Sequence, residues 1–353
     1  MKRNYILPIF LIFQILALQV LTFFPEFVEK MYSNGIYQWI SGFSRSILGK
    51  IPFSVGDVLY MILIFLAFRW LVKNRKNWRT KWKENLLKIT SIISLAYFLF
   101  HLLWALNYYR VPLYQKMNIR KEYSENDLIA FTKKLIDKTN TLHNQIVNND
   151  SIKVKFPYSQ AVVFEKNLNG YNNLAEEYPF FSYSRSSVKK SLWSLPLTYM
   201  GFSGYMNPFT GEAQINDRMP MYNFPSTACH EMAHQMGYGS ESECNFIGFL
   251  ASIKNDDLYF QYSGYTMALK YCLSTLERME KGKSKTFLPL IHKGILKNFD
   301  ESKQFWKSHE TFIETGFKVF YDNFLKMNQQ KDGLEGYSKF VDLMVNYYKN
   351  KPL

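Results

Sequence analysis

Ala228-Cys229-His230-Glu231-Met232-Ala233-His234-Gln235-Met236-Gly237 is the stretch that decides how the rest of the chain is read. Two histidines four positions apart on a helix share a face, so both imidazoles can be aimed at one cation. Glu231 stands beside them, placed to reach a water on that cation rather than the cation itself. This is an H-E-x-x-H arrangement, in which zinc acidifies the water and the glutamate takes its proton. The bland reading is a surface helix that happens to carry a histidine pair.

The residues that follow argue against the bland reading. Gly237 is well placed to end the helix, and Tyr238-Gly239 can turn the chain. Ser240-x-x-Glu243 then reads as a capping box opening a second helix, with Cys244, Ile247, Leu250 and Ala251 as its buried stripe. A tight turn between two helices brings the start of the second near the metal. Zinc in a catalytic site takes three protein ligands and keeps a fourth position open. Glu241 and Glu243 are the candidates for the third ligand. If Glu243 caps the helix, Glu241 is free to bind, and Asn245 faces the same way to orient a ligand from behind. The alternative is that both glutamates only complement the helix dipole.

Glu241-Ser242-Glu243-Cys244-Asn245 resembles the E-x-x-A-(D/N) helix that supplies the glutamate ligand in H-E-x-x-H peptidases of the gluzincin type. The resemblance implies Glu241 as ligand and Asn245 as its supporting partner, with Cys244 in place of the usual alanine and a much shorter interval after His234. Glu243 stays open as the alternative ligand. More widely, four segments together resemble a bacterial membrane protein family of unknown function with a zincin-like domain behind N-terminal spans. They are Asn207-Pro-Phe-Thr-Gly-Glu-Ala-Gln-Ile-Asn216, His230-Glu-x-x-His-Gln-x-Gly237, Glu241-x-Glu-x-Asn-Phe246 and Tyr262-Ser-Gly-Tyr265. That likeness covers nearly the whole chain and implies an architecture, but no substrate. Ala213 to Asn216, just upstream of the metal helix, reads either as the edge strand on which zincins pair an extended peptide or as a core strand. Tyr262 and Tyr265 are possible donors to a reaction oxyanion, with packing as the rival role. His143, His292 and His309 have no motif context.

Three apolar segments precede residue 110: about 5–24, 58–72 and 89–106. The first is uncharged and long enough to cross a bilayer, and no small-x-small cleavage site follows it, which favours an uncleaved anchor over a signal peptide. Trp104, Tyr108 and Tyr109 end the third as an interfacial belt. His101 inside it is expected to hydrogen-bond within the bundle. Lys73, Arg75, Lys76, Arg79, Lys81 and Lys83 make the loop between the second and third segments densely basic, which keeps it cytoplasmic together with Lys2 and Arg3. Everything after Arg110 is then extracytoplasmic, as expected of a multi-pass protein of the bacterial cytoplasmic membrane. Ile36, Trp39, Ile40, Phe43 and Ile47 fall at helical spacing and suit a helix lying flat on the outer leaflet.

The expected organisation is therefore a membrane domain with three transmembrane helices over 1–110 and an extracytoplasmic domain over 111–353. The latter is α+β and mostly helical, a zincin-like metallopeptidase fold. Ser124 to Asn148 reads as an amphipathic helix, 151–225 as short strands and loops, and the remainder as helices broken around Gly282 and Gly333. The net charge of +14 is then largely topology and membrane-surface charge, and with no nucleic-acid-binding signature the expected partner is the lipid bilayer, not nucleic acid. Cys229, Cys244 and Cys272 form no paired motif and read as buried small side chains. The expected function is a zinc peptidase acting on a peptide or protein of the cell envelope. A catalytically silent zincin-fold receptor or scaffold is the alternative, against which the presence of Glu231 speaks.

Overall fold

The uncharged N-terminal run folds as helix α1 (Ile6–Leu21) in a computed structural model that describes residues 5–353. Lys2 and Arg3, used above for topology, lie outside the described residues. The helix is shorter than the apolar run because the chain breaks before Pro25, where the ring fixes φ and removes a donor. It resumes through a π-helical stretch at Val28–Ile36 into α2 (Tyr37–Leu48), and this second limb is bent 101° from α1. The amphipathic reading of α2 holds: Ile36, Trp39, Phe43 and Ile47 are exposed, while Tyr37, Ser41 and Arg45 are buried on the opposite face.

Helix α3 (Val55–Asn74) and helix α4 (Trp82–Leu103) are long and apolar enough to cross a membrane. A third span exists only if the bent pair of α1 and the Pro25–Leu48 limb counts as one. Both helices start earlier than the apolar runs suggested, because helices propagate into flanking polar residues while hydropathy stops at them. Gln14 of α1 donates to the Ser94 hydroxyl and carbonyl of α4 at 3.1 and 3.3 Å. His101 is satisfied locally, its Nδ1 at 2.9 Å from the Tyr97 carbonyl.

Beyond residue 110 the fold is helices around a small mixed sheet. Helix α5 (Glu125–Val147) begins on a complete capping box of Ser124 and Asp127, and buries Leu128, Phe131, Leu135 and Leu142 as the periodicity required. The stretch expected to hold only strands and loops contains an 18-residue helix, α6 (Gln160–Glu177). Its asparagines and tyrosines are weak helix formers, and tertiary packing overrides them: Tyr171 is fully buried and its hydroxyl donates to the Cys229 carbonyl at 2.5 Å. Strands β1 (Val188–Lys190), β2 (Gly204–Met206) and β3 (Ala213–Ile215) follow, with helix α7 (Ser194–Met200) between the first two. The strand order is β1-β3-β2, parallel between β1 and β3 and antiparallel between β3 and β2. Ala213 to Ile215 is thus the buried central strand, and the edge strand beside the metal helix is β2. The polar start of α3 is fixed to this sheet. Asp57 accepts from Ser191 Oγ, the Leu192 amide and the Tyr205 hydroxyl, and Glu212 accepts from the Gly56 amide and from Lys189.

The remaining helices are α8 (Phe224–Gln235), α9 (Glu241–Ile253), α10 (Leu258–Met279), α11 (Lys293–Ser308), α12 (Phe312–Met327) and α13 (Lys339–Tyr347). Breaks fall at Gly282 and Gly333 as expected, both with positive φ. Met232, Phe249, Leu269 and Phe340 share the main core with the buried face of α5. The three cysteines are buried and free. The chain is mostly helical with a small mixed sheet, an α+β arrangement.

Candidate metal centre

Helix α8 carries the motif and ends on a Schellman motif. The Tyr238 amide donates to the Ala233 carbonyl and the Gly237 amide to the His234 carbonyl, with Gly237 at φ +89° where a side chain would be strained. The reversal lays α9 along α8. Contact is close enough that a Cβ on Gly248 would sit 2.8 Å from the His230 backbone nitrogen. This packing brings Glu241, in the first turn of α9, to the two histidines.

The donor atoms converge. His230 Nε2 lies 3.2 Å from His234 Nε2, and Glu241 Oε2 lies 3.1 Å from the first and 3.7 Å from the second. A tetrahedral zinc with ligands at about 2.0–2.1 Å has donor-to-donor edges of roughly 3.3–3.5 Å. The three separations bracket that edge, so the residues fit such an ion. Each imidazole is held from behind through Nδ1: His230 by Asn245 Oδ1 and His234 by the Tyr238 carbonyl, both at 2.8 Å. Those oxygens accept, so each Nδ1 carries a proton and the geometry aims Nε2 at the shared point. Asn245 therefore supports His230, where the family likeness had made it the partner of Glu241.

Glu231 completes the group. One of its carboxylate oxygens lies with the histidine nitrogens within 4.8 Å of one another, and its Oε2 is buried with no hydrogen-bond partner. Burial pushes its carboxyl up, against the pull of His230 and His234. Glu241 moves the other way: burial alone would raise it, but His234 and the hydrogen bond from His230 hold it well below the usual carboxylate range. His234 is raised, against burial, by the neighbouring Cys244 and Glu241. Cys244 beside it is a neutral thiol, its pKa pushed up to about 12 by burial.

The expected capping box at Ser240 is not made. Ser240 occupies the N-cap position with no capping side-chain bond, and the Glu243 carboxylate turns away from the metal group to accept the Leu113 amide at 2.6 Å. Glu243 is thereby placed outside the donor cluster, and burial raises its pKa to about 7. Tyr262 and Tyr265 are also elsewhere. Tyr262 is fully buried and donates to Asn298 Oδ1 at 2.9 Å, while Tyr265 packs edge-on against Phe249. A tyrosine that does reach the site is Tyr321 of α12, whose hydroxyl donates to Glu241 Oε1 at 2.5 Å. It stands 80 positions from its partner, so no local spacing pointed to it.

Sequence reasoning also missed the groups that close the far end of α8. Trp104 Nε1 donates to the His234 carbonyl at 3.1 Å, and the Tyr37 and Ser41 hydroxyls donate to the Gln235 carbonyl at 2.9 and 3.1 Å. Arg110 reaches the Gly237 carbonyl at 2.8 Å. Gln235 itself ties the helix to the neighbourhood of the sheet, donating to the Ser187 and Gly211 carbonyls.

A cavity of about 790 Å³ opens over the four polar side chains and runs along β2. Ser203 and Asn207 pair towards β3, the former accepting from the Asn216 amide and the latter donating to the Glu212 carbonyl. In an antiparallel ladder the intervening Gly204 and Met206 therefore turn their amides and carbonyls to the free edge. No curated protein and no solved structure matches this chain. Residues 32–345 match the family described as Protein of unknown function (DUF3810), and over that span the chain belongs to this family.

Proposed function

We propose that this protein is a membrane-anchored, zinc-dependent peptidase with a zincin-like site made of His230, His234 and Glu241, and with Glu231 as general base. The observation that carries the reading is the convergence of two Nε2 atoms and one carboxylate oxygen at mutual distances of 3.1–3.7 Å, beside the buried Glu231, whose Oε2 has no hydrogen-bond partner. A structural histidine pair needs neither the third donor nor an unsatisfied glutamate, whose burial is costly unless the group is used.

Bound by these residues, zinc would supply a Lewis acid that acidifies water and polarises a carbonyl. The chain supplies the rest. Glu231, with its carboxyl raised by burial, accepts the proton of the attacking water and returns it to the leaving amine. Asn245 and the Tyr238 carbonyl keep both imidazoles oriented. The free edge of β2 offers the main-chain groups of Gly204 and Met206 to an extended peptide, in the manner of an added strand. Tyr321 takes the place in the cavity that Tyr262 and Tyr265 do not fill, with its hydroxyl bonded to Glu241.

The same reading puts the site outside the cytoplasm. The starts of α3 and the end of α4 adjoin the metal domain, through Asp57 and Trp104, so the basic 73–83 loop lies at their opposite ends. Helices of this length rise roughly 30 Å, one bilayer core. A positive loop on one side then places the cavity on the other. The test is metal analysis of the purified full chain together with Glu231→Gln. About one zinc per chain, retained in a variant that no longer hydrolyses peptides, is the expected result. A chain without zinc would overturn the reading, and a zinc-loaded wild type inert towards every peptide offered would turn it into a binding protein.

A further inference from the structure

Helix α12 is two-faced. Its charges are tied along the helix, Lys318 to Glu314 at 2.6 Å and Lys326 to Asp322 at 2.7 Å. Phe312, Val319 and Phe320, by contrast, are 86, 61 and 63% exposed. An apolar face of this size calls for a cover, and its neighbours say which. Phe324 packs against Phe100, ring centroids 6.1 Å apart, within the last turn of the membrane-spanning candidate α4. On its other flank α12 packs on α7, where Glu314 lies against Gly201. The segment leading into α7 is bonded to Asp57 in the first turn of α3, and Leu192 and Leu195 there are exposed too. The exposed apolar surface is thus continuous with the metal-site ends of both spans. The cavity lies inside that frame, lined by Tyr60 of α3, Phe100 and Trp104 of α4, and Phe320 and Phe324 of α12.

We propose that α12 lies in the bilayer interface as an amphipathic roof over the metal cavity. The cavity mouth then opens towards lipid, and its substrates are peptide segments anchored in or adsorbed to the membrane. A helix with paired charges on one side and bare phenylalanines on the other is what an interfacial helix requires. Its Tyr321 bonds Glu241 directly, which ties the helix to the metal site. The substrate clause rests on the peptidase reading; the placement of α12 does not.

The native cysteines are all buried, so a cysteine placed at Phe312 or Val319 of the full chain takes an environment-sensitive dye selectively. The labelled chain is reconstituted in phosphatidylethanolamine–phosphatidylglycerol vesicles, with exposed Asp150 labelled as a control. Quenching of the α12 labels by spin-labelled lipid, but not by aqueous iodide, with the reverse at Asp150, is the expected result. Iodide quenching at α12, or shielding from both quenchers by a second protein copy, overturns the placement. Two dye-quenched random peptide pools then address the substrate, one free in water and one carrying a palmitoyl anchor in the same vesicles. Confinement raises local concentration, so the anchored pool should be cut at least about tenfold faster. Phe312→Glu combined with Val319→Glu should erase that preference while leaving zinc content and cleavage of the free pool unchanged. Equal rates on both pools overturn the substrate class. Lipid quenching with cleavage of neither pool strikes the peptidase reading alone and leaves the placement standing.

Discussion

Asn245→Ala tests how the metal group is held. Asn245 is 5% exposed, and its Oδ1 accepts from His230 Nδ1 at 2.8 Å. Without it, that N–H faces an alanine. In the metal-free chain the ring can turn, since the His230 side chain keeps 12% of its surface and borders the cavity. With Nε2 committed to a cation the ring cannot turn, so the unsatisfied donor burdens the loaded state. A buried donor left unpaired costs about 1–3 kcal/mol, or roughly 5- to 150-fold in metal affinity. Loss of a partner behind a ligand falls in the same range, about 10- to 100-fold. The assay is competition for zinc against a chelating dye on the full chain in detergent. Asn245→Asp keeps an acceptor and should bind zinc at least as tightly as wild type. An Asn245→Ala dissociation constant within about twofold of wild type would refute the supporting role.

Three further outcomes follow from the same geometry. Glu241→Ala should lower zinc affinity far more than Glu243→Ala, because only Glu241 joins the histidine nitrogens; the reverse order in the same dye competition would move the third ligand to Glu243. Gly248→Ala should drive α9 off α8 through a contact at 2.8 Å, costing about 1–3 kcal/mol in the unfolding midpoint and weakening zinc binding with it. An unchanged midpoint would mean that the two helices have slack. Trp104→Phe keeps an aromatic ring but removes one of two donors to the His234 carbonyl, which retains the Gly237 amide, so it should destabilise the full chain by about 0.5–1.5 kcal/mol and weaken zinc binding. Stability lost with zinc affinity intact would limit Trp104 to packing.

What was legible in the sequence was what a single element encodes. The four-residue spacing of His230 and His234, the stop at Gly237, the amphipathic face of α2 and the apolar stripe of α5 are all local patterns, and each is found where the sequence placed it. What was not legible depends on partners far along the chain. Glu243 looked like a cap for its own helix, but the Leu113 amide, 130 positions upstream, takes the carboxylate instead. Ala213 to Asn216 read equally as edge or core, because pairing on both sides is a property of β1 and β2 and not of β3. Helix α6 was hidden by asparagines whose poor propensity is offset only by packing on α8 and α9. Tyr321 carries no motif at all, and its role comes from where α12 lies.

The membrane half and the metal half are joined at the least dispensable point. A helix leaves its last carbonyls without intrahelical partners, and in α8 those carbonyls belong to the turn that carries His234. The Schellman turn uses the Ala233 and His234 carbonyls, yet Gln235 and Gly237 still need donors. Tyr37, Ser41 and Arg110 provide them, with Trp104 adding a second donor to His234. Arg110 is itself fixed by Glu29, at 2.7 Å, from the limb that follows α1. Four positions on the N-terminal side of the chain thus set the end of the metal helix, while Asp57 at the start of α3 bonds Tyr205 of the strand that borders the cavity. The end of the helix that carries His234 is therefore referenced to the end of α4 and to the limb after α1, and the strand edge to the start of α3. Under the placement proposed for α12, a substrate entering from the bilayer would need the histidines and the strand edge held in register with the two candidate spans, and this bonding is what would hold them there.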